Sequence, residues 1–506
     1  MKLLLVLLLF VNSCQEKMVK EIPTKSNTPN IIYILADDLG YGDISIYNPK
    51  SQIKTPSIDQ LASQGMRFTD AHSSASVCTP SRYGILTGRY CWRSRLPLGN
   101  LRGYGRALIE PTRNTVASLL KNNGYTTGVI GKWHLGLDWV IKKGHENLLN
   151  DPDTKVNEFN MVQDMNPDYI DFTKKTTWGP NNCGFDYSFI LPTSLDMPPY
   201  CFLENDSIIE VPSEYTKGND LNTGYTEAFW RPGKIAPGFL FDNVLPAFQN
   251  KARQFIERNA NNEQPFFLYF SLTAPHTPWL PISEFKNSAE AGKYGDFVKM
   301  VDETVSEVLN SLVELGIRDN TLVIFTSDNG PYWSEEYVKK YNHKAVGELR
   351  GMKGDIWEGG HRVPFIASWP NKIPKARTSA ALTSLTHLFA TVADILEIEI
   401  EPNDAEDSYS ILPDLLGKTP EITQQNGLVH LSSKGIFAIR QGDWKLITKR
   451  GSGGFSNPQF YVPTGEEPKG QLYNLKDDIG ESNNLYHLYP EKITELNALL
   501  NNIKDK

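Results

Sequence analysis

Four apolar runs in this chain each stop at a cluster of chemically active residues. Residues 31–35 run into Ala36-Asp37-Asp38, and 127–130 into Gly131-Lys132-Trp133-His134. Residues 266–272 lead to Pro275-His276-Thr277-Pro278, and 322–326 to Ser327-Asp328-Asn329-Gly330. Runs this short and this apolar suit strands buried on both faces. Helical segments lie between them: Thr55-Pro56 opens one that Gly65 closes, and another covers 115–123 before Gly124. Alternating strands and helices predict a mostly parallel sheet covered on both faces. Ligands of open α/β sheets bind outside the carboxyl ends of the strands. The four ends therefore deliver carboxylates, a lysine and two histidines to one edge. Singly each is weak, because Asp-Asp is commonly a cap and Asp-Asn-Gly a turn. Together they predict a working edge.

At 506 residues the chain exceeds one ordinary core. Met1-Lys2 and the apolar LLLVLLLFV behind it are too short to span a bilayer and read as a secretory signal. Val11-Asn12-Ser13-Cys14 looks like a bacterial lipobox, with Cys14 as the lipidated first residue of the mature chain. The expected product is an exported lipoprotein, at the outer membrane, cell surface or periplasm, touching membrane through its lipid anchor only. The expected order is a signal peptide over 1–13, a tether over 14–29, a catalytic α/β domain over 30–396, an acidic, turn-rich connection over 397–426, and a C-terminal subdomain over 427–506. Within the last, 435–447 alternates as a hairpin strand and 485–503 reads as an amphipathic helix. Residues 138–182 are long, polar and weakly periodic, which predicts a rim facing the substrate.

A net charge of -8 gives no sign of nucleic-acid binding. Charge is locally uneven, however. Between Ala71 and Ile109 there is no Asp or Glu, while Arg82, Arg89, Arg93, Arg95, Arg102 and Arg106 all fall there. Such a field suits an anionic substrate, unless these arginines pair with acids elsewhere.

That stretch contains Cys78-Thr79-Pro80-Ser81-Arg82, followed by Thr87-Gly88-Arg89. Pro80 suits the first turn of a helix, which puts residue 78 at the positive end of its dipole. The pattern resembles the signature of formylglycine-dependent sulfatases of the arylsulfatase A type, in the alkaline phosphatase superfamily. Gly131-Lys132-Trp133-His134-Leu135-Gly136, Gly184-Phe185-Asp186, Leu349-Arg350-Gly351-Met352-Lys353 and Glu358-Gly359-Gly360-His361-Arg362-Val363-Pro364 extend the resemblance over most of the chain. It implies a large mixed, mostly parallel sheet sandwiched by helices, with a smaller C-terminal α+β subdomain.

The resemblance also implies a sulfuric ester hydrolase whose Cys78 is oxidised by a maturation enzyme to formylglycine (3-oxoalanine). In that family one hydroxyl of the hydrated aldehyde attacks sulfur, and the other expels sulfate by collapsing to the aldehyde. One divalent cation is implied, Ca²⁺ in preference to Mg²⁺, held by Asp37, Asp38, Asp328 and Asn329, with residue 78 adding an oxygen. Arg82 then steadies the diol, Lys132 bridges diol and sulfate, and His134 accepts the proton as sulfate leaves. His276 and Lys353 contact the sulfate oxygens and the leaving alkoxide, His276 as general acid. Ser194, ten residues after Gly184, holds the family's spacing for a serine that contacts sulfate.

If Cys78 is modified and Cys14 lipidated, Cys91, Cys183 and Cys201 make no complete disulfide framework, and spacing leaves a Cys183–Cys201 bridge open. Structural roles are expected for His72, His343, His361 and His387, His343 being the one to test as a substrate contact. Trp92, Trp133, Trp279, Trp333 and Trp357 adjoin the motifs; aromatic faces suit sugar rings, while core packing fits Trp133 and Trp357. Leader and body together are similar to secreted bacterial sulfatases acting on polysaccharides, so the expected substrate is a sulfated glycan, algal or animal. Two rivals stand beside this. A phosphatase or phosphodiesterase on the same fold would normally use Ser or Thr and often two metals. A non-catalytic surface glycan-binding lipoprotein would have lost one of the motif residues, and none is missing.

Overall fold

The computed structural model describes residues 28–147, 165–219, 227–418 and 427–505. The expected signal peptide, Cys14, and parts of the expected tether, rim and connection lie outside them. Among the described residues, ten strands form the main sheet: β1 (Asn30–Asp37), β2 (Met66–Phe68), β3 (Thr126–Lys132), β4 (Tyr187–Leu191), β5 (Leu203–Glu204), β6 (Ser207–Ile208), β7 (Phe266–Pro275), β8 (Thr321–Ser327), β9 (Phe365–Ser368) and β10 (Arg377–Ser379). Their spatial order is β10-β2-β9-β8-β1-β7-β3-β4-β5-β6. The central five, β8-β1-β7-β3-β4, run parallel. Antiparallel strands flank them on both sides.

Sequence explains the centre. Every residue of β1 and β7 is buried, and both are dominated by Ile, Leu, Phe and Tyr. Such strands are stable only when both faces are covered. Two groups of helices provide the cover. One comprises α1 (Pro56–Ser63), with α4 (Val244–Asn259) and α5 (Gly292–Glu314). The other comprises α2 (Cys78–Thr87), α3 (Val116–Asn122) and α6 (Leu388–Ile395). Thr115 caps α3 through its side chain, accepting from the Ser118 N–H at 3.0 Å.

The strands run further than their apolar cores. Asp37 pairs with Pro275 and Lys132 with Leu191, so both are the last paired positions of their strands rather than loop residues. Backbone pairing outlasts the hydrophobic pattern. Gly131 makes this possible beside Lys132: its φ is 118°, and a Cβ there would lie 1.7 Å from the Ser271 carbonyl oxygen.

A separate antiparallel sheet follows, made of β11 (Leu428–Leu431), β12 (Phe437–Gln441), β13 (Trp444–Ile447) and β14 (Gln471–Asn474). The alternation over 435–447 resolves into two strands around Gly442, whose φ is 54°. Helix α7 (Pro490–Asp505) covers this sheet through Leu496, Leu500 and Ile503. It starts five residues later than its periodicity suggests. Leu485 is tied to the sheet, its N–H donating to Leu472 O at 2.8 Å, and Pro490 opens the helix.

Candidate active site

The carboxyl ends of the central strands share one edge with the N-terminus of α2. Cys78 is the first residue of that helix, and Val77 before it is extended with no side-chain cap. The positive end of the helix dipole therefore falls at residue 78. Cys78 Sγ lies 3.7 Å from Asp37 Oδ1. Burial pushes the thiol up, against the pull of Lys132 and Lys353. The thiol is thus neutral, and a neutral thiol is a poor nucleophile.

Asp37, Asp38, Asp328 and Cys78 each place a ligand atom within 4.8 Å of the others, all buried. Three cations answer the three carboxylates. Lys132 Nζ lies 2.8 and 2.7 Å from the two Asp37 oxygens. Arg82 reaches Asp328 Oδ2 at 2.9 Å through Nε and 2.7 Å through Nη2. Lys353 Nζ lies 2.7 Å from Asp38 Oδ2. Asp38 takes a left-handed φ of 63°, and its N–H donates to Asp328 Oδ1 at 3.2 Å.

Burial alone would raise Asp37, but Lys132, His276 and Arg82 outweigh it and hold the carboxyl well below the usual range. At Asp328 burial wins, helped by the charge of Asp37, and its pKa is raised in spite of Arg82. Asn329 Nδ2 donates to Asp38 Oδ1 at 2.7 Å, which leaves its buried Oδ1 without a partner among the described residues. Three crowded carboxylates and one unmatched amide oxygen form a hard-oxygen donor set, which fits a Ca²⁺-class cation.

The histidines divide by tautomer. His134 Nε2 lies 2.9 Å from Leu101 O. A carbonyl only accepts, so Nε2 carries the hydrogen and Nδ1 keeps a lone pair, without a partner among the described residues. Burial, then Lys132 and Arg82, lower its pKa well below the ordinary value. His134 is a neutral base. At His276 the committed nitrogen is Nδ1, which donates to Thr277 O at 2.6 Å, while Nε2 lies 3.6 Å from Asp38 Oδ2.

This edge joins a residue-78 position at a helix N-terminus to clustered carboxylates, two lysines and two histidines. The family model described as Sulfatase matches residues 29–398. The N-acetylgalactosamine-6-O-sulfatase of Bacteroides thetaiotaomicron is 33% identical over 532 residues, covering 98% of this chain and 97% of that one. The chain belongs to the sulfatase family. Arylsulfatase A of Homo sapiens is 33% identical over 473 residues, covering 90% of this sulfatase and 83% of the relative. A solved structure concerned with the metabolism of multiple glycosaminoglycans by Bacteroides thetaiotaomicron is 31% identical, with a TM-score of 0.77, and covers 95% of this chain and 100% of that one. The protein is accordingly a sulfuric ester hydrolase.

The other residues singled out in the sequence have these places in the structure. Ser194 is buried and its hydroxyl bonds Asp196 Oδ1. His343 is closed to substrate: Nε2 meets Asp43 Oδ1 at 2.7 Å, and Nδ1 accepts from the Gln52 N–H at 3.4 Å. Trp279 and Trp333 join Trp133 and Trp357 as buried residues, packed with Tyr294 and Tyr337, so their faces are taken. Trp92 stacks on Tyr90 at 4.1 Å. The basic stretch is largely structural, since Arg89 pairs with Glu406 at 3.1 Å, Arg93 with Asp407 at 2.9 Å, and Arg95 donates to two backbone carbonyls. Cys91, Cys183 and Cys201 are buried free thiols, so there is no Cys183–Cys201 bridge.

Two residues of this edge escaped the sequence reading. Asp196 is fully buried 4.0 Å from His276 Nδ1, and Arg231 is ion-paired with it. The signal existed. Tyr187–Leu191 is a fifth strand of the parallel set, and Asp196 follows its end as Asp37 ends β1.

Proposed function

We propose that this sulfatase removes sulfate from a sulfated carbohydrate, with Cys78 matured to formylglycine and one Ca²⁺ beside it. The observation that carries the reading is the convergence of Asp37, Asp38 and Asp328 on residue 78. The carbohydrate class is supported by the N-acetylgalactosamine-6-O-sulfatase relative and the glycosaminoglycan-related structure. Maturation is supported by the neutral thiol, which lacks the reactivity that a hydrated aldehyde oxygen has.

Asp37, Asp38, Asp328 and Asn329 would hold the cation, which when bound supplies positive charge that lowers the pKa of a nearby hydroxyl. Arg82, fixed by Asp328 and by Lys132 O at 3.2 Å, holds its donors rigidly behind residue 78. Lys132 and Lys353 bring positive charge to the transferring sulfate. With Nδ1–H committed to a carbonyl, His276 has Nε2 from which to protonate the leaving alkoxide. His134 Nδ1 takes up the proton released as sulfate departs.

The test pairs a mass spectrum of the peptide carrying residue 78 with sulfate release from a panel of defined sulfated oligosaccharides. Aldehyde together with sulfate release is the expected result. A thiol in protein that still turns over sulfate esters would sink the maturation step. We also propose export as a lipoprotein through Cys14, motivated by the leader and lipobox-like sequence. Wild type should then need detergent for extraction and Cys14→Ala should be soluble. A wholly soluble wild type with its mature N-terminus elsewhere would count against it.

A further inference from the structure

A cavity of about 280 Å³ is lined by residues that include Arg102, Tyr104, Met197, Pro198, Tyr215 and Arg231. Two chains of contact connect it to the chemistry. Leu101 O holds His134 Nε2, and Arg102, the next residue, lines the cavity. On the other side His276 Nδ1 lies 4.0 Å from Asp196 Oδ1, Asp196 is ion-paired with Arg231, and Arg231 lines the cavity. Each of the two histidines that handle protons is thus one residue removed from the cavity wall. Its volume falls just under the ~300–1,000 Å³ usual for small-molecule sites, which is room for one ring rather than an oligosaccharide.

Its walls mix apolar faces with two arginines, Arg102 and Arg231, of which Arg231 is ion-paired with Asp196. Tyr104, Tyr215, Met197 and Pro198 offer surfaces of the kind that pack on the C–H face of a pyranose. Arg231 is held from three directions: its side chain by Asp196 Oδ2, its backbone N–H by Asp196 O at 3.0 Å, and its guanidinium over the Phe229 ring at 4.8 Å. Asp196 in turn accepts the Ser194 hydroxyl and is fully buried. The pair joins a fully buried carboxylate to a partly exposed guanidinium, so it adds little to stability on its own, and it lies on the cavity wall. A fixed guanidinium fork is a rigid set of donors, suited to hydroxyl oxygens.

We infer that this cavity is the subsite for the leaving-group sugar ring, that Arg231 hydrogen-bonds its hydroxyls, and that Asp196 is the residue that positions Arg231. This rests on the sulfated-carbohydrate reading and deepens it, since the site then prefers a hydroxyl-bearing pyranose to a flat aryl alcohol. A site built to bond a hydroxyl discriminates strongly against a ligand lacking it, because its polar groups are left unmatched.

The test compares kcat/KM for a sulfated pyranose monosaccharide and for p-nitrophenyl sulfate, on matured enzyme. Arg231→Met should lower the sugar-to-aryl ratio about 100-fold, the worth of two charged hydrogen bonds. Asp196→Asn should lower it about tenfold, chiefly through KM for the sugar. Arg231→Lys keeps the charge without the fork, and should also lower the ratio if Arg231→Met fails to fold. Equal losses on both substrates would mean that the pair merely supports His276, and an unaltered ratio would mean that the ring binds elsewhere; either overturns the inference. Matured wild type that hydrolyses neither ester would instead overturn the proposed function, a failure visible before any variant is made.

Discussion

At the carboxyl edge of the main sheet, Asp37, Asp38 and Asp328 meet Lys132, Lys353 and Arg82. At the seam with the C-terminal sheet, Asp70, Glu358 and Glu481 meet Arg362, Arg440 and Lys445. Each cluster sets three acids against three bases, although the edge uses only Asp and mostly Lys while the seam uses mostly Glu and Arg. Their wiring differs. At the seam each acid is bridged across the boundary: Glu358 binds Lys445 at 3.0 Å and Arg440 at 3.3 Å, Asp70 binds Arg440 at 2.9 Å, and Glu481 Oε2 accepts the Glu358 N–H at 2.6 Å. Arg440 and Lys445 come from β12 and β13, so the seam clamps the small sheet to the catalytic unit. At the sheet edge the carboxylates converge on one another around residue 78, with Asn329 Oδ1 unmatched. Charge count and burial do not separate a reactive site from a joint. The helix N-terminus that sets residue 78 beside the edge carboxylates does.

The largest effect that tests this contrast is Cys78→Ala, which should lower sulfate release by about 10⁴-fold or more and leave the melting temperature nearly intact. Turnover close to wild type would remove residue 78 from the chemistry. Exhaustive chelation should come next, abolishing activity and lowering the melting temperature because the three carboxylates then repel one another, with Ca²⁺ restoring both. If neither quantity moves, the sheet edge is a second joint. Lys445→Met should act oppositely. It leaves Glu358 and Glu481 buried without their lysine, at a cost of about 3–5 kcal/mol in denaturant unfolding, with kcat/KM changed less than about threefold. Should it damage turnover as severely as Lys132→Met, the distinction between the clusters collapses.

The sheet edge was legible because chemistry follows strand ends, and strand ends can be found from apolar runs of β-branched and aromatic residues. Asp37, Lys132, His276 and Asp328 each sit within a few residues of such a run. Strand β4 was overlooked because Tyr-Ser-Phe-Ile-Leu is short and interrupted by Ser188, and Asp196 was lost with it. Arg231 has no local signature at all, since its partner determines its role. The seam is illegible for the same reason: Arg440 and Asp70 are 370 residues apart and each reads locally as an exposed charge. His72, His361 and His430 meet at ring distances of 4.0 to 5.2 Å, which three single histidines scattered along a sequence do not announce.

Those three histidines set the smallest and most specific effect. Burial, reinforced by neighbouring positive charge at Lys445, holds His361 and His430 well below their ordinary 6.5, and burial lowers His72 as well. The folded seam keeps them neutral, whereas the unfolded chain takes up protons below about pH 6.5. The unfolded state then binds more protons, so stability rises with pH up to that value and falls on acidification. Glu481 opposes this. Burial, with Glu358 beside it, raises its carboxyl from 4.5 to about 7, so between those values the folded state keeps a proton that the unfolded chain has released. Within the seam three histidines outnumber one glutamate, so the seam's own contribution to the slope between pH 4.5 and 6.5 is positive, about 1.4 kcal/mol per pH unit for each excess proton. His430→Asn keeps a donor for Ser73 O, which His430 Nδ1 now reaches at 3.2 Å, and removes one titrating group. Unfolding free energies measured from pH 4.5 to 6.5 should show the slope reduced by about one proton's worth. A slope unchanged by the substitution would show that His430 titrates alike in both states. A variant with the wild-type slope but no sulfate release would place the seam in the chemistry, and the contrast between the two clusters would fail.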